Sequence, residues 1–214
     1  MTLFGIYGAS GAGRGVMPLA RSLARADSAE LVFIDDSPAG SEVNGHRALT
    51  FEAFLEEPED DKRVVVAIAN SRIREALVAR CDAAGVGFFV VKADNVVIMD
   101  DVTIGEGAIL SPFVTLTSNI RIGRHFHANL YSYVEHDCVI GDFVTFAPAV
   151  RCNGNIVIED HAYIGTGAVL KQGRPGAPLV IGRGAVVGMG AVVTKSVPPG
   201  VTVVGNPARP LTKD

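Results

Sequence analysis

Counted by sixes from Ile98, the first residue of every hexad is apolar: Ile98, Ile104, Leu110, Leu116, Ile122, Ala128, Val134, Ile140, Phe146, Cys152, Ile158, Ile164 and Leu170. Twelve consecutive steps hold that phase, many followed by Gly or an acid and then by a small or branched fifth residue, as in Ile104-Gly-Glu-Gly-Ala and Ile164-Gly-Thr-Gly-Ala. A six-residue repeat is one extended side of a coil turning through about 120°, so three hexads make one rung of a left-handed parallel β-helix. The coil itself is scaffold, and function must come from residues that the repeat does not require. The phase breaks at Lys171-Gln-Gly-Arg-Pro-Gly-Ala-Pro, which inserts five residues, and resumes at Ile181, Val187 and Val193. A Gly/Pro-rich bulge carrying Lys171 and Arg174 is a candidate site or subunit contact, with a tolerated surface loop as the alternative.

A different periodicity precedes Asp94. Strand-like runs at Leu3–Tyr7, Leu31–Ile34, Val64–Ala69 and Phe88–Val91 alternate with helix-like stretches at Arg14–Arg25, Thr50–Leu55 and Ser71–Ala84. That alternation predicts a small parallel Rossmann-like α/β sheet. Two domains are therefore expected, residues 1–93 and 94–214. A net charge of −4 with interspersed signs argues against nucleic acid or an anionic membrane as partner and favours a small one. Cys81, Cys138 and Cys152 have no metal-like spacing, and an odd count suits a reducing compartment, so the cytoplasm is the expected location. No run approaches the roughly 20 apolar residues of a membrane span, and no membrane anchor is expected.

Gly8-Ala-Ser-Gly-Ala-Gly follows the first strand and leads into a helix, the context in which backbone N–H groups hold phosphate. Its G-x-x-G-x-G spacing differs from the dinucleotide G-x-G-x-x-G, so a phosphate-bearing ligand other than a nicotinamide cofactor is expected on Gly8, Ser10 and Gly11. Asp35 and Asp36 end the second strand, where a carboxylate commonly meets a ribose hydroxyl or a base edge. Asn70, Arg72 and Arg74 follow the third strand at the same carboxyl edge, and Arg14 and Arg72 are candidates to offset phosphate charge. The bland reading is that the glycines only make a tight turn and the aspartates are solvated.

Four of five histidines fall in or beside the hexads: His125, His127, His136 and His161. Their spacings lack a metal-binding pair with a third ligand, and no metal is expected. His136 stands third in its hexad, near a corner, flanked by Glu135 and Asp137. An outward imidazole beside carboxylates is a candidate general base near neutral pH, although a lone histidine on a coil is more often a surface residue.

These residues resemble sugar acetyltransferases of the PglD-like and sialic-acid-locus type, which join a small nucleotide-sugar-binding α/β domain to a left-handed β-helix. The resemblance spans nearly the whole chain. Its most specific parts are Gly8-Ala-Ser-Gly-Ala-Gly, Asp35-Asp36, Ala67-Ile-Ala-Asn-Ser-Arg-Ile-Arg, Val134-Glu-His-Asp-Cys-Val-Ile-Gly-Asp, Cys152-Asn-Gly-Asn and Val204-Gly-Asn-Pro-Ala-Arg.

The resemblance implies transfer of acetyl from acetyl-CoA to the amino group of a nucleotide-linked deoxysugar for surface-glycan biosynthesis, without an acyl-enzyme. It implies His136 as general base, Asp137 as its acidic partner with Glu135 the alternate, and Gly154 N–H as donor to the developing oxyanion. It implies a homotrimer with active sites at subunit interfaces, where Gly165, Thr166, Gly188 and Ala191 flank the pantetheine arm of CoA. Lys171, Arg174, Lys195 and Arg209 are the basic candidates for the CoA phosphates. Ala12 stands where many members have His, and Thr145 where some have a second active-site His, which His161 would replace only if it faced the same cleft. UDP, GDP and dTDP sugars stay open, as do O-acetylation of a sugar hydroxyl and a non-catalytic trimeric scaffold.

Overall fold

A computed structural model of the chain describes residues 2–27, 29–37 and 42–212. They form two compact units, Met1–Lys92 with Glu106–Ile109, and Ala93–Gly105 with Leu110–Asp214.

In the first unit, β1 (Thr2–Tyr7), α1 (Gly11–Ala26), β2 (Glu30–Ile34), β3 (Glu42–Val43), β4 (His46–Leu49), α2 (Phe51–Glu56), β5 (Asp61–Val66), α3 (Ser71–Ala83) and β6 (Gly87–Phe88) follow in order. The sheet order is β3-β4-β2-β1-β5-β6, parallel except where β3 pairs with β4. Strands β1 and β2 and the second half of β5, Val64–Val66, are apolar because helices cover a doubly wound sheet. Phe4, Ile6, Phe33 and Val65 pack with Val16, Met17 and Ala20 of α1 in one buried cluster.

Three expected boundaries shift. Helix α1 begins at Gly11 rather than Arg14, because glycines that read as a turn are carried into the helix by packing on β1. The run Phe88–Val91 divides, with Phe88 parallel to Val64 in the sheet and Val91 N–H donating to Ala108 C=O. The β3–β4 hairpin was not anticipated, although Asn44-Gly45, with φ of 51° and 77°, is the sequence signal for its tight turn.

The second unit is the coil. Register along one face runs Val97, Thr115, Tyr133, Arg151, Val169 and Val192, stepping by 18 residues until the insertion lengthens the last step to 23. First hexad residues from Leu110 to Leu170 are buried, whereas Ile98, on the first rung, is 38% exposed. From Ile98 to Ile164 each hexad turns its corner at the fourth position in the left-handed conformation, and most corners are not glycine: Asp101, Phe113, Asn119, His125, Tyr131, Asp137, Phe143, Ala149, Asn155 and His161 all have φ of 53–64°. Non-glycine residues adopt this conformation rarely, and stacking of identical corners on successive rungs holds them there. Glycine is required instead at some second positions on one column: a Cβ on Gly105 would lie 2.5 Å from the Gly123 backbone of the next rung.

Candidate active site

The corner column Asp101, Asn119, Asp137, Asn155 carries short polar side chains, which tolerate left-handed backbone because they hydrogen-bond locally. Asn119 Nδ2 donates to Asp137 Oδ1 at 3.1 Å, and His136 Nδ1 lies 2.7 Å from Asp137 Oδ2. An ionised carboxylate only accepts, so Nδ1 carries the proton and Nε2 presents its lone pair. The hydrogen bond donated to Asp137 holds the imidazole above its ordinary value, and the same bond, with Asn119, holds the carboxyl below its own. The His136 side chain is 43% exposed.

One rung on, a Cβ at Gly154 would lie 2.6 Å from both Cε1 and Nε2 of His136, so only glycine leaves room for the ring. Asn155 N–H donates to His136 C=O at 2.9 Å, and Gly154 C=O accepts from Gly173 N–H at 2.9 Å. Gly173 sits where the next corner of the column would stand, so the insertion leaves the coil beside the His136–Gly154 pair. Its tip is closed by an antiparallel bridge between Arg174 and Ala177.

In the first unit, Gly8 follows β1 with φ of 109°, and a Cβ on Gly13 would lie 1.7 Å from Gly8 C=O, so Gly13 admits α1 to the strand end. Ser10 is the α1 N-cap residue but its side chain makes no capping bond; it, Gly11 and Arg14 are exposed at the helix N-terminus. Asp35 accepts from Ala9 N–H at 2.9 Å and from Ser37, whose hydrogen bonds outweigh burial and keep the carboxyl low. Asp36 accepts from Tyr7 Oη at 2.6 Å, Phe51 N–H at 2.9 Å and Arg80 at 2.5 Å, which again outweigh burial. Burial and Asp36 push the Tyr7 phenol up, so it remains a donor. Arg80 also lies 4.5 Å over the Phe51 ring.

Asn70 caps α3, its Oδ1 accepting from Arg72 N–H at 3.0 Å and Ile73 N–H at 3.2 Å. Arg72 is exposed and pairs with Glu75 at 3.3 Å. Arg74 departs from expectation. It is fully buried, donates to Ile68 C=O at 2.6 Å and Ala69 C=O at 3.3 Å, and burial pushes its guanidinium down to about 9. It closes the strand-to-helix turn, buried at the carboxyl edge rather than exposed on it.

A family model described as the PglD N-terminal domain matches residues 4–81. The GDP-perosamine N-acetyltransferase of Escherichia coli O157:H7 is 52% identical over 216 residues, covering 100% of this chain and 98% of that protein. The chain belongs to the PglD-like family of sugar N-acetyltransferases. WeeI from Acinetobacter baumannii AYE shares the fold with a TM-score of 0.96 at 59% identity, covering 99% of this chain and all of that one, 100%. The acetyltransferase domain of PglB from Neisseria gonorrhoeae FA1090 in complex with acetyl coenzyme A matches with a TM-score of 0.87 at 30% identity, covering 98% of each chain.

In this N-acetyltransferase, which takes its acyl group from acetyl-CoA, the coil residues named for the cofactor are of three kinds. Gly165 and Gly188 lie against the next rung, where a Cβ would meet Met189 N at 2.6 Å and the Val204 side chain at 2.7 Å. Thr166, Lys171, Arg174, Lys195 and Arg209 are exposed, and Ala191 is fully buried in the coil. His161 is also buried. It stacks on Phe143, which stacks on His125, with centroids 5.2 Å apart in both pairs, on a different corner column from Asp137, so it supplies no second imidazole beside His136 of the same chain. Thr145 is buried between His127 and Tyr163 on the ladder. Among the described residues no group of three or more His, Cys, Asp or Glu is placed to hold a metal, and no helix is long and apolar enough to cross a membrane.

Asn119 escaped the sequence reading, though it stands one 18-residue rung before Asp137. Tyr133 and Asn153 did too: Tyr133 Oη donates to Asn153 Oδ1 at 3.0 Å, and Asn153 Nδ2 donates to Leu170 C=O at 2.7 Å.

Proposed function

We propose that this chain transfers the acetyl group of acetyl-CoA to the amino group of a GDP-linked amino sugar, GDP-perosamine being the first candidate because the relative of 52% identity is named for it. The observation that carries the chemistry is the Asn119–Asp137–His136 chain ending beside Gly154. With Nδ1 bonded to Asp137, His136 Nε2 takes a proton from the amine as its nitrogen attacks the thioester carbonyl. The Asp137 carboxylate stabilises the imidazolium that forms. The new C–N bond places negative charge on the carbonyl oxygen, and the Gly154 N–H is the proposed donor to it. Collapse breaks the C–S bond, and the imidazolium returns its proton to the departing sulfur. No group on the chain is acylated.

The first unit is the proposed nucleotide-sugar site. The α1 N-terminus, with Ser10, Gly11 and Arg14, receives phosphate, since its first N–H groups lack intrahelical acceptors. Asp35 and Asp36 face the nucleoside with the acceptor capacity their internal bonds leave, and Arg72 adds positive charge. On the coil, Gly165, Thr166, Gly188, Ala191 and the basic residues Lys171, Lys195 and Arg209 flank CoA. The assembly is a homotrimer with sites at subunit interfaces; Phe113 and Tyr131, stacked at 4.7 Å and 51% and 61% exposed, supply apolar surface for contact between copies. The setting is the cytoplasm, in keeping with free, buried Cys81, Cys138 and Cys152.

The test is release of CoA thiol from acetyl-CoA with GDP-perosamine and with UDP- and dTDP-linked amino sugars, comparing wild type with His136→Ala. Turnover with the GDP sugar, lost in the variant, supports the reading. Turnover only with hydroxyl acceptors, or undiminished in His136→Ala, overturns it.

A further inference from the structure

The Asn153–Gly154 peptide is gripped from both sides by groups with no part in the proton transfer. On its carbonyl side, the buried Cys138 Sγ lies 3.3 Å from Asn153 C=O, and the same sulfur lies 3.6 Å from His136 C=O. On its side-chain side, Asn153 is stretched between Tyr133 Oη on the preceding rung and Leu170 C=O on the following one. The asparagine amide accepts from a phenol through its oxygen and donates to a carbonyl through its nitrogen; isosteric aspartate lacks the donor. The peptide is trans, so its C=O and N–H point in opposite directions. With the carbonyl turned to the sulfur, the Gly154 N–H is turned the opposite way, away from Cys138. Downstream, Gly173 N–H on Gly154 C=O and Leu179 N–H on Asn155 C=O, at 2.9 and 3.2 Å, complete the restraint.

We propose that Asn153 and Cys138 are positioning residues for acetyl transfer, aiming the Gly154 N–H at the developing oxyanion by fixing the plane of the Asn153–Gly154 peptide. This rests on the oxyanion role proposed for Gly154. A donor aimed in advance stabilises charge that exists only in the transition state, so its misalignment lowers kcat and leaves ground-state binding of acetyl-CoA unchanged. Tyr133 acts one step further out, through the Asn153 amide.

The experiment measures kcat, the KM for acetyl-CoA and the pH profile for Asn153→Ala, Tyr133→Phe, Cys138→Val and Cys138→Ser, and for protein in which an α-hydroxy acid at position 154 replaces the Gly154 N–H with an ester oxygen. The ester is expected to lose about 10²-fold to 10³-fold in kcat, the range for removing one oxyanion donor. Asn153→Ala is expected to lose about 10²-fold and Tyr133→Phe about 10-fold, with KM for acetyl-CoA and the acid limb of the pH profile unmoved because His136 is untouched. Cys138→Ser, which keeps a donor, recovers most of the kcat lost in Cys138→Val. Full activity of the ester overturns the Gly154 role and this proposal with it. A crippled ester beside wild-type kcat in folded Asn153→Ala overturns the positioning role alone, and so does a rise in KM with kcat unchanged. If Asn153→Ala does not fold, Tyr133→Phe decides by the same criteria.

Discussion

Gly154 faces the imidazole of His136 so closely that a single added methyl would lie 2.6 Å from both Cε1 and Nε2. The two residues are 18 apart, one full rung, and each limits what the other can be. Gly154→Ala is therefore expected to swing His136 off Asp137 while leaving the coil intact, lowering kcat by about 10²-fold, the cost of displacing a reacting group by about 1 Å. Kinetics beside a thermal melt check it; a fully active Gly154→Ala enzyme would sink the geometry.

Asp137 sets the pH at which the base works. Transfer requires neutral imidazole, so activity is present above the His136 pKa and is lost as pH falls through it. The carboxylate raises that pKa, so Asp137→Asn moves the acid limb of the rate profile to lower pH. The plateau kcat falls by about 10-fold or more, because the imidazolium loses its counter-charge. A profile whose acid limb stays in place or moves upward would contradict the assignment.

Gly13→Ala tests the first unit. The added Cβ would lie 1.7 Å from Gly8 C=O, a backbone atom that cannot step aside alone. The expected cost is about 1–3 kcal/mol of stability from overpacking, read from the denaturant midpoint. The KM for the nucleotide sugar rises while that for acetyl-CoA does not.

Arg74→Met keeps the bulk of a fully buried side chain and removes its donors to Ile68 and Ala69 C=O. Removing the donor from these part-buried carbonyls costs about 0.5–1.5 kcal/mol, with kcat preserved in the folded fraction. A loss of nucleotide-sugar affinity without loss of stability would instead place Arg74 at the ligand.

The hexads made the coil legible because burial at every sixth residue is a property of short strands and tight corners, independent of distant partners. The same logic placed the insertion, since any interruption of a strict phase must leave the coil. The burial of Arg74 was not legible, because an arginine after a strand looks the same whether it serves a ligand or its own turn. Its carbonyl partners, Ile68 and Ala69, are near in sequence, but only the path of α3 brings the guanidinium to them.

Sequence alone determined the six-residue register, the strand and helix alternation before it, and the motif Glu135-His136-Asp137 at a corner, because these depend on spacing and local chemistry. Only tertiary structure decided that Asp137 binds Nδ1 and Asn119, that Gly154 backs the ring, and that Asp36 is already shared by Tyr7, Phe51 and Arg80. Those contacts join residues 15 to 44 apart, or select one rotamer of adjacent ones, and both depend on how successive rungs and strands stack.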